Sequence, residues 1–154
     1  RLPSPGGVDL AELARQGLAD FLQSVGARDV RRQTAGSPLL VRGDAELLQI
    51  VLRNLLDNAL RYTPADSRIH VFARRQGGEL SLGVADDGPG VPPTELPRLV
   101  ERFYRGREAN AEGSGLGLAI VQRIAELHDA RFEVENLPAG GFTARLRWCR
   151  SPAA

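Results

Sequence analysis

Leu48, Val51, Leu52, Leu55 and Ala59 recur at the spacing that gathers apolar side chains into one stripe of an α-helix. Asp44 stands at the N-cap position and Pro64 stops the run, so the pattern predicts a helix over residues 44–62. Glu46, Arg53 and Asp57 fall on its solvent side. Asn54, Asn58 and Arg61, at i, i+4 and i+7, lie along the border between the two faces, where polar groups can face a pocket. A second helix is expected over residues 8–25, with Asp9 as N-cap and Leu10, Leu13, Leu18, Phe21, Leu22 and Val25 at helical spacing. A third is expected over 116–128, turning Leu116, Ile120, Ile124 and Leu127 inward.

The remaining apolar runs read as strands. Two short ones are expected near 29–33 and 39–41, separated by Ala35-Gly36-Ser37-Pro38. Residues 68–76 and 79–85 read as a hairpin around Gly77-Gly78, and residues 131–136 and 142–148 as two final strands joined around Pro138-Ala139-Gly140-Gly141. A short helix is expected within 93–103, and the polar, charged stretch 104–112 as a mobile loop. Helices alternating with mostly hairpin-linked strands imply an α+β fold, a two-layer sandwich with a mixed, mostly antiparallel sheet covered by helices on one face. Residues 1–7 read as a linker stub, 8–150 as one domain and 151–154 as a tail.

Composition narrows the chemistry. A chain of 154 residues, 42% hydrophobic, is long enough for one domain with its own core. A net charge of +1 argues against nucleic-acid binding by bulk electrostatics. The single cysteine, Cys149, excludes an internal disulfide, and no Cys/His cluster offers a zinc site. No apolar run approaches the ~20 residues of a membrane span. The start at Arg1 carries no signal-peptide pattern, and the sequence reads as a piece of a longer protein. All twenty basic residues are arginine. Without lysine, a Walker A loop, a lysine-dependent protein-kinase site and Schiff-base chemistry are excluded.

The motifs add up only in combination. Asp86-Asp87-Gly88-Pro89-Gly90 closes a predicted strand and, in isolation, reads by default as a surface turn. Gly113-Ser114-Gly115-Leu116-Gly117 leads into a helix and alone is equally a hinge. Asn54-Leu55-Leu56-Asp57-Asn58 alone reads as helix surface, and Tyr62 as a helix-end core residue. Between the glycine clusters runs Glu101-Arg102-Phe103-Tyr104-Arg105. In that order the four segments resemble the asparagine, aspartate, phenylalanine and second glycine boxes of the ATP-binding catalytic domain of bacterial sensor histidine kinases. The resemblance covers almost the whole chain.

That resemblance implies the Bergerat-type sandwich and an ATP–magnesium site. Asn58 matches the magnesium-ligating asparagine, and a neutral amide oxygen suits a metal whose charge is balanced by a triphosphate. Asn54 matches the first asparagine of the box. Arg61 lies where the family often has a phosphate-reaching lysine, and Tyr62 where it has an aromatic against the nucleotide. Asp86 matches the acceptor for the adenine amine, with Gly88 and Gly90 admitting the base and Asp87 given no ligand role. Gly113, Ser114, Gly115, Leu116 and Gly117 match the phosphate-side glycine box, where helix N–H groups attract anions. Phe103 would anchor the lid. Arg102 and Arg105 would pair with phosphate or a partner domain, Arg107 more weakly. Asn58 and Arg61 are the catalytic candidates, acting by positioning and charge neutralisation.

The same pocket in gyrase-type ATPases carries a glutamate base where this chain has Asn54, so efficient hydrolysis is not expected. The family's phosphoacceptor is a histidine followed by an acidic residue on a separate dimerisation domain. His70 is followed by Val71, and His128-Asp129 belongs to a pocket-forming helix, so the acceptor is expected outside this chain. The family usually has glycine after that second histidine; Asp129 here implies a strained but intact helix cap. The implied partners are the dimerisation/phosphoacceptor domain and a response regulator, with the isolated domain monomeric, cytoplasmic, and its parent in the inner membrane. A slow ATPase and a nucleotide-sensing module are the alternatives.

Overall fold

The computed structural model describes residues 6–23, 28–36, 39–97 and 114–149. Their elements in chain order are β1 (Gly6–Asp9), α1 (Leu10–Leu22), β2 (Asp29–Ala35), β3 (Leu40–Gly43), α2 (Ala45–Tyr62), β4 (Arg68–Gln76), β5 (Glu79–Asp86), α3 (Ser114–Leu127), β6 (Arg131–Asn136) and β7 (Phe142–Trp148). Five strands form one sheet in the order β2-β4-β5-β7-β6, with only the β2–β4 pair parallel. β1 and β3 make a separate antiparallel ribbon. The mixed, mostly antiparallel sheet expected from the sequence is present.

Strand alternation sorts the sheet into two faces. Ile69, Val71, Leu80, Leu82, Val84, Leu146 and Trp148 point to one side and are buried. The helices cover that side: α1 lies against β2 and β4, α2 against β5, and α3 against β6 and α2. The other face carries charges. Arg147 Nη2 donates to Glu133 at 2.6 Å and its Nη1 to Glu79 at 3.0 Å, while Arg145 Nη2 donates to Glu133 at 3.0 Å. Phe72 is the exception on this side; only 2% exposed, it lies opposite Gly83 with the Arg74 guanidinium 4.1 Å from its ring centre.

Local capping explains the helix boundaries. Asp9 Oδ1 accepts the Ala11 N–H at 3.0 Å, and Asp44 Oδ1 accepts those of Glu46 and Leu47 at 3.0 and 3.2 Å. α1 therefore begins at Leu10, later than the expected residue 8. Val8 belongs instead to β1, whose pairing with β3 also takes in Gly6 and Gly7 from the expected linker. Within α1, Leu22 is 43% exposed rather than inward. The strands expected near 29–33 and 39–41 both form but belong to different sheets.

At the end of α3, the Ala130 N–H donates to the Ala125 carbonyl and the Asp129 N–H to that of Glu126, with Asp129 at φ 56°. This is a Schellman cap with aspartate in the left-handed position. The inward face of α3 is Val121, Ile124, Ala125 and His128, an i, i+3, i+4, i+7 stripe. Ile120, expected inside, is 41% exposed at its edge, and Leu127 is only partly buried.

Asp129→Gly should stabilise the domain by about 1 kcal/mol, because glycine carries no penalty in that conformation. Thermal unfolding should rise by roughly 2–4 °C, and Asp129→Val should lower it. An unchanged or lowered midpoint for the glycine variant would contradict a strained cap.

Candidate functional site

Strand parity places Asp86 on the helix-covered face, in line with Leu82 and Val84. The residue is 7% exposed, and its Oδ1 accepts the Gly88 N–H at 2.9 Å. Burial pushes its pKa up and the neighbouring Asp87 adds to the rise, while hydrogen bonds from the backbone of Gly88 and Phe142 pull the other way. A Cβ on Gly88 would come within 3.2 Å of Asp86 Oδ1, 3.4 Å of Thr63 Cγ2 and 3.5 Å of Ser67 Oγ. The end of α2, the loop after it and the aspartate box therefore converge around Gly88.

Gly90 has a structural reason to be glycine, whatever its part in admitting a base. Its φ is 77°, and a Cβ would lie 2.8 Å from Asn136 Oδ1 and 3.1 Å from the Gly141 carbonyl oxygen. Asp87, given no ligand role, has a structural one: its Oδ1 accepts the Arg68 N–H at 2.7 Å.

On α2 the apolar stripe is buried from Leu48 to Leu55, Leu56 joins it, and Ala59 at its end is only partly buried. Asn54 and Asn58 are half-buried and Arg61 is exposed, as border positions should be. Asn54 Nδ2 donates to the Ile50 carbonyl at 3.0 Å. Among the described residues the Asn58 amide has no hydrogen-bond partner, and no group of three His, Cys, Asp or Glu side chains forms a metal cluster. A divalent cation here fits only with few protein oxygens and the rest from its substrate, which is the way magnesium is commonly held. Asn58 offers such an oxygen.

α3 starts at Ser114, two residues before the expected position. Ser114, Gly115, Leu116 and Gly117 therefore constitute the first helical turn rather than the approach to it, and these are the residues whose N–H groups lack intrahelical acceptors. Gly113, Arg105 and the remaining phenylalanine-box and lid candidates (Glu101, Arg102, Phe103, Tyr104, Arg107) lie outside the described residues, as does most of the short helix expected within 93–103. Tyr62 ends α2.

Three residues that shape this region were not anticipated. Asn136 Oδ1 accepts the Val91 N–H at 2.9 Å and its Nδ2 donates to the Val91 carbonyl at 2.7 Å, holding the exit of the aspartate box. Gly141, at φ 107°, lies so close that a Cβ would be 2.0 Å from the Asp86 carbonyl oxygen. Arg28 Nη2 donates to Thr63 Oγ1 at 2.8 Å and to the Pro64 carbonyl at 3.1 Å, placing a cation at the C-terminal end of α2. The positive-φ demand at Gly141 was visible as Gly140-Gly141; the other two are contacts between segments remote in sequence.

The two histidines differ in access. His128 is 4% exposed with both ring nitrogens hydrogen-bonded. His70 is half-buried on β4, and burial together with Arg68 and Arg31 lowers its pKa.

The family model described as "Histidine kinase-, DNA gyrase B-, and HSP90-like ATPase" matches residues 43–152. The chain is 42% identical over 141 residues to the sensor protein QseC of Escherichia coli K12, covering 92% of this chain and 28% of that protein. It is 37% identical over 150 residues to the sensor-like histidine kinase SenX3 of Mycobacterium tuberculosis H37Rv, covering 95% and 37%. The chain thus spans about a third of the length of these relatives. The solved ATP-binding domain of PrrB from Mycobacterium tuberculosis superposes with a TM-score of 0.75 at 26% identity, covering 96% of this chain and 98% of that one.

A buried carboxyl with a raised pKa favours the folded state below the ordinary aspartate range (about 3.9) and loses that advantage as pH rises through the folded value. Asp86→Asn should therefore raise the thermal midpoint of the nucleotide-free domain at pH 7, with the gain shrinking as the pH falls toward 4. A variant less stable than the parent at pH 7 would show that Asp86 is not held at a cost.

Proposed function

The chain belongs to the histidine kinase-, DNA gyrase B- and HSP90-like ATPase family, as an ATP-binding catalytic domain of the sensor histidine kinase kind, and we propose that it passes the γ-phosphoryl group of ATP to a histidine on a separate domain. The observation that carries this reading is the convergence of a buried carboxyl, Asp86, with the end of the helix that bears the half-buried Asn58, whose amide has no hydrogen-bond partner among the described residues.

In this reading Asp86 accepts a hydrogen bond from the adenine amine, with Gly88 keeping the approach open and Gly90 shaping the loop. Tyr62 lies against the nucleotide. Asn58 holds magnesium, which when bound neutralises charge on the phosphates and orients them. Asn54 supports that end of the helix. Arg61 supplies a planar cation to the phosphates, and Gly113, Ser114, Gly115, Leu116 and Gly117 supply N–H groups at the start of α3. Arg105 reaches phosphate from the lid or pairs with a partner domain. Catalysis is then a matter of positioning and electrostatics.

Asn54 favours transfer over hydrolysis. An amide at that position accepts no proton from water, and its nitrogen is already committed to the Ile50 carbonyl. The recipient is a dimerisation and phosphoacceptor domain of the same kinase, which in turn serves a response regulator. The isolated domain is monomeric, binds no nucleic acid and works on the cytoplasmic side of a parent in the inner membrane. No helix among the described residues is long and apolar enough to cross a membrane.

Calorimetric titration with ATP, with and without magnesium, tests the site. Asp86→Asn should weaken ATP binding by roughly 1–3 kcal/mol. Asn58→Ala should abolish the tightening that magnesium produces; a magnesium effect that survives would move the metal elsewhere. With labelled ATP, phosphate should appear on a supplied dimerisation domain and not on the chain itself, and turnover to free phosphate without that domain should be slow. Rapid hydrolysis by the domain alone would replace the kinase reading with an ATPase.

A further inference from the structure

The two helices that bear Asn58 and the second glycine box meet at a buried histidine distant from both. His128 follows the last residue of α3. Its Nδ1 donates to the Ile124 carbonyl at 2.9 Å, and its Nε2 accepts the backbone N–H of Asp44 at 3.0 Å. Asp44 is itself the buried N-cap of α2. The ring packs against Gly43, where a Cβ would be 2.7 Å from Cδ2 and 2.8 Å from Nε2. The end of one helix is thus fastened to the start of the other, with the ring packed closely on Gly43.

From this pin the helices extend in opposite chain directions. At a rise of 1.5 Å per residue, Asn58 lies about 21 Å along α2 from Asp44, and Ser114 about 21 Å back along α3 from His128. On arms of that length a splay of about 3° displaces the far end by roughly 1 Å, and a misplacement of that size costs on the order of 10²-fold at a site that works by positioning. Asp86 is different. It is held from β5 by Gly88 and Phe142, which belong to neither helix.

We propose that His128 is a positioning residue: by pinning α3 to α2, whose far end packs beside Gly88 and β5, it sets where the start of α3 lies and so the fit of the triphosphate end of the site, with much less effect on the adenine end. This rests on the nucleotide reading given above. His128 touches no nucleotide in this scheme and acts only through the relative placement of the two helices.

Three variants of the chain test it, each first checked by thermal unfolding. His128→Gln retains an acceptor within reach of the Asp44 N–H, His128→Phe keeps the ring without the acceptor, and Gly43→Ala presses a methyl group into the ring. Adenosine, which engages only the base end, is titrated by ligand-observed NMR, and magnesium–ATP by calorimetry. His128→Phe and Gly43→Ala should weaken magnesium–ATP by about tenfold or more and adenosine by less than about twofold, while His128→Gln stays within about threefold of the parent for both. A parallel loss of both ligands, or full magnesium–ATP affinity in His128→Phe, would overturn the proposal. If His128→Phe does not fold, Gly43→Ala decides; if neither folds, the pin serves the fold alone and the proposal falls. Failure of the parent itself to take up adenosine and magnesium–ATP would remove the nucleotide reading beneath it.

Discussion

An ionisable carboxyl set beneath a helical layer must be met by backbone donors, and much of the architecture near Asp86 follows from that demand. The chain turns back after β5 so that the Gly88 N–H reaches Oδ1, and the neighbouring strand brings Phe142 alongside. The turn can be that tight only because Gly141 has no Cβ to strike the Asp86 carbonyl. Asn136 then fixes the outgoing chain at Val91 through both its amide atoms. The β4–β5 and β6–β7 hairpins, joined by the β5–β7 ladder, thus both contribute to the surroundings of one side chain.

Much of this was legible in the sequence where a local rule governs. The cap at Asp44, the stripe down α2, the stop at Pro64 and the two hairpins each depend on residues close together in the chain, and each formed where the pattern put it. Asp86 was readable because a carboxylate closing an apolar strand is conspicuous. What stayed hidden depends on distant partners. β1 exists only because β3 pairs with it, so two glycines and a valine gave no sign of it. Arg28 and Asn136 are ordinary polar residues until the fold delivers Thr63 and Val91 to them. In α3 the adjacent Ile120 and Val121 are both apolar, and only packing against α2 and β6 decides between them. α3 begins at Ser114, two residues earlier than its apolar spacing implies, within the usual uncertainty of a helix end.

The absence of lysine is more than a compositional curiosity once the charged sheet face is seen. Arg147 reaches Glu133 through Nε and Nη2 and Glu79 through Nη1, a fork that a single ammonium group cannot reproduce. Glu133 is held below the usual carboxylate range chiefly by that contact with Arg147, against some cost of burial. The Arg74 guanidinium, stacked on Phe72, also helps cover a ring that would otherwise be open to water on this side of the sheet.

The sheet therefore has two sides answering to different solvent variables. Its helix-covered side is oily, and its contribution changes with temperature through hydration heat capacity. Its arginine–glutamate side is electrostatic and weakens as ionic strength rises, the more exposed pairs first. Heat and salt can consequently loosen opposite sides of the same five strands, so the domain has one mechanical layer with two separately adjustable skins.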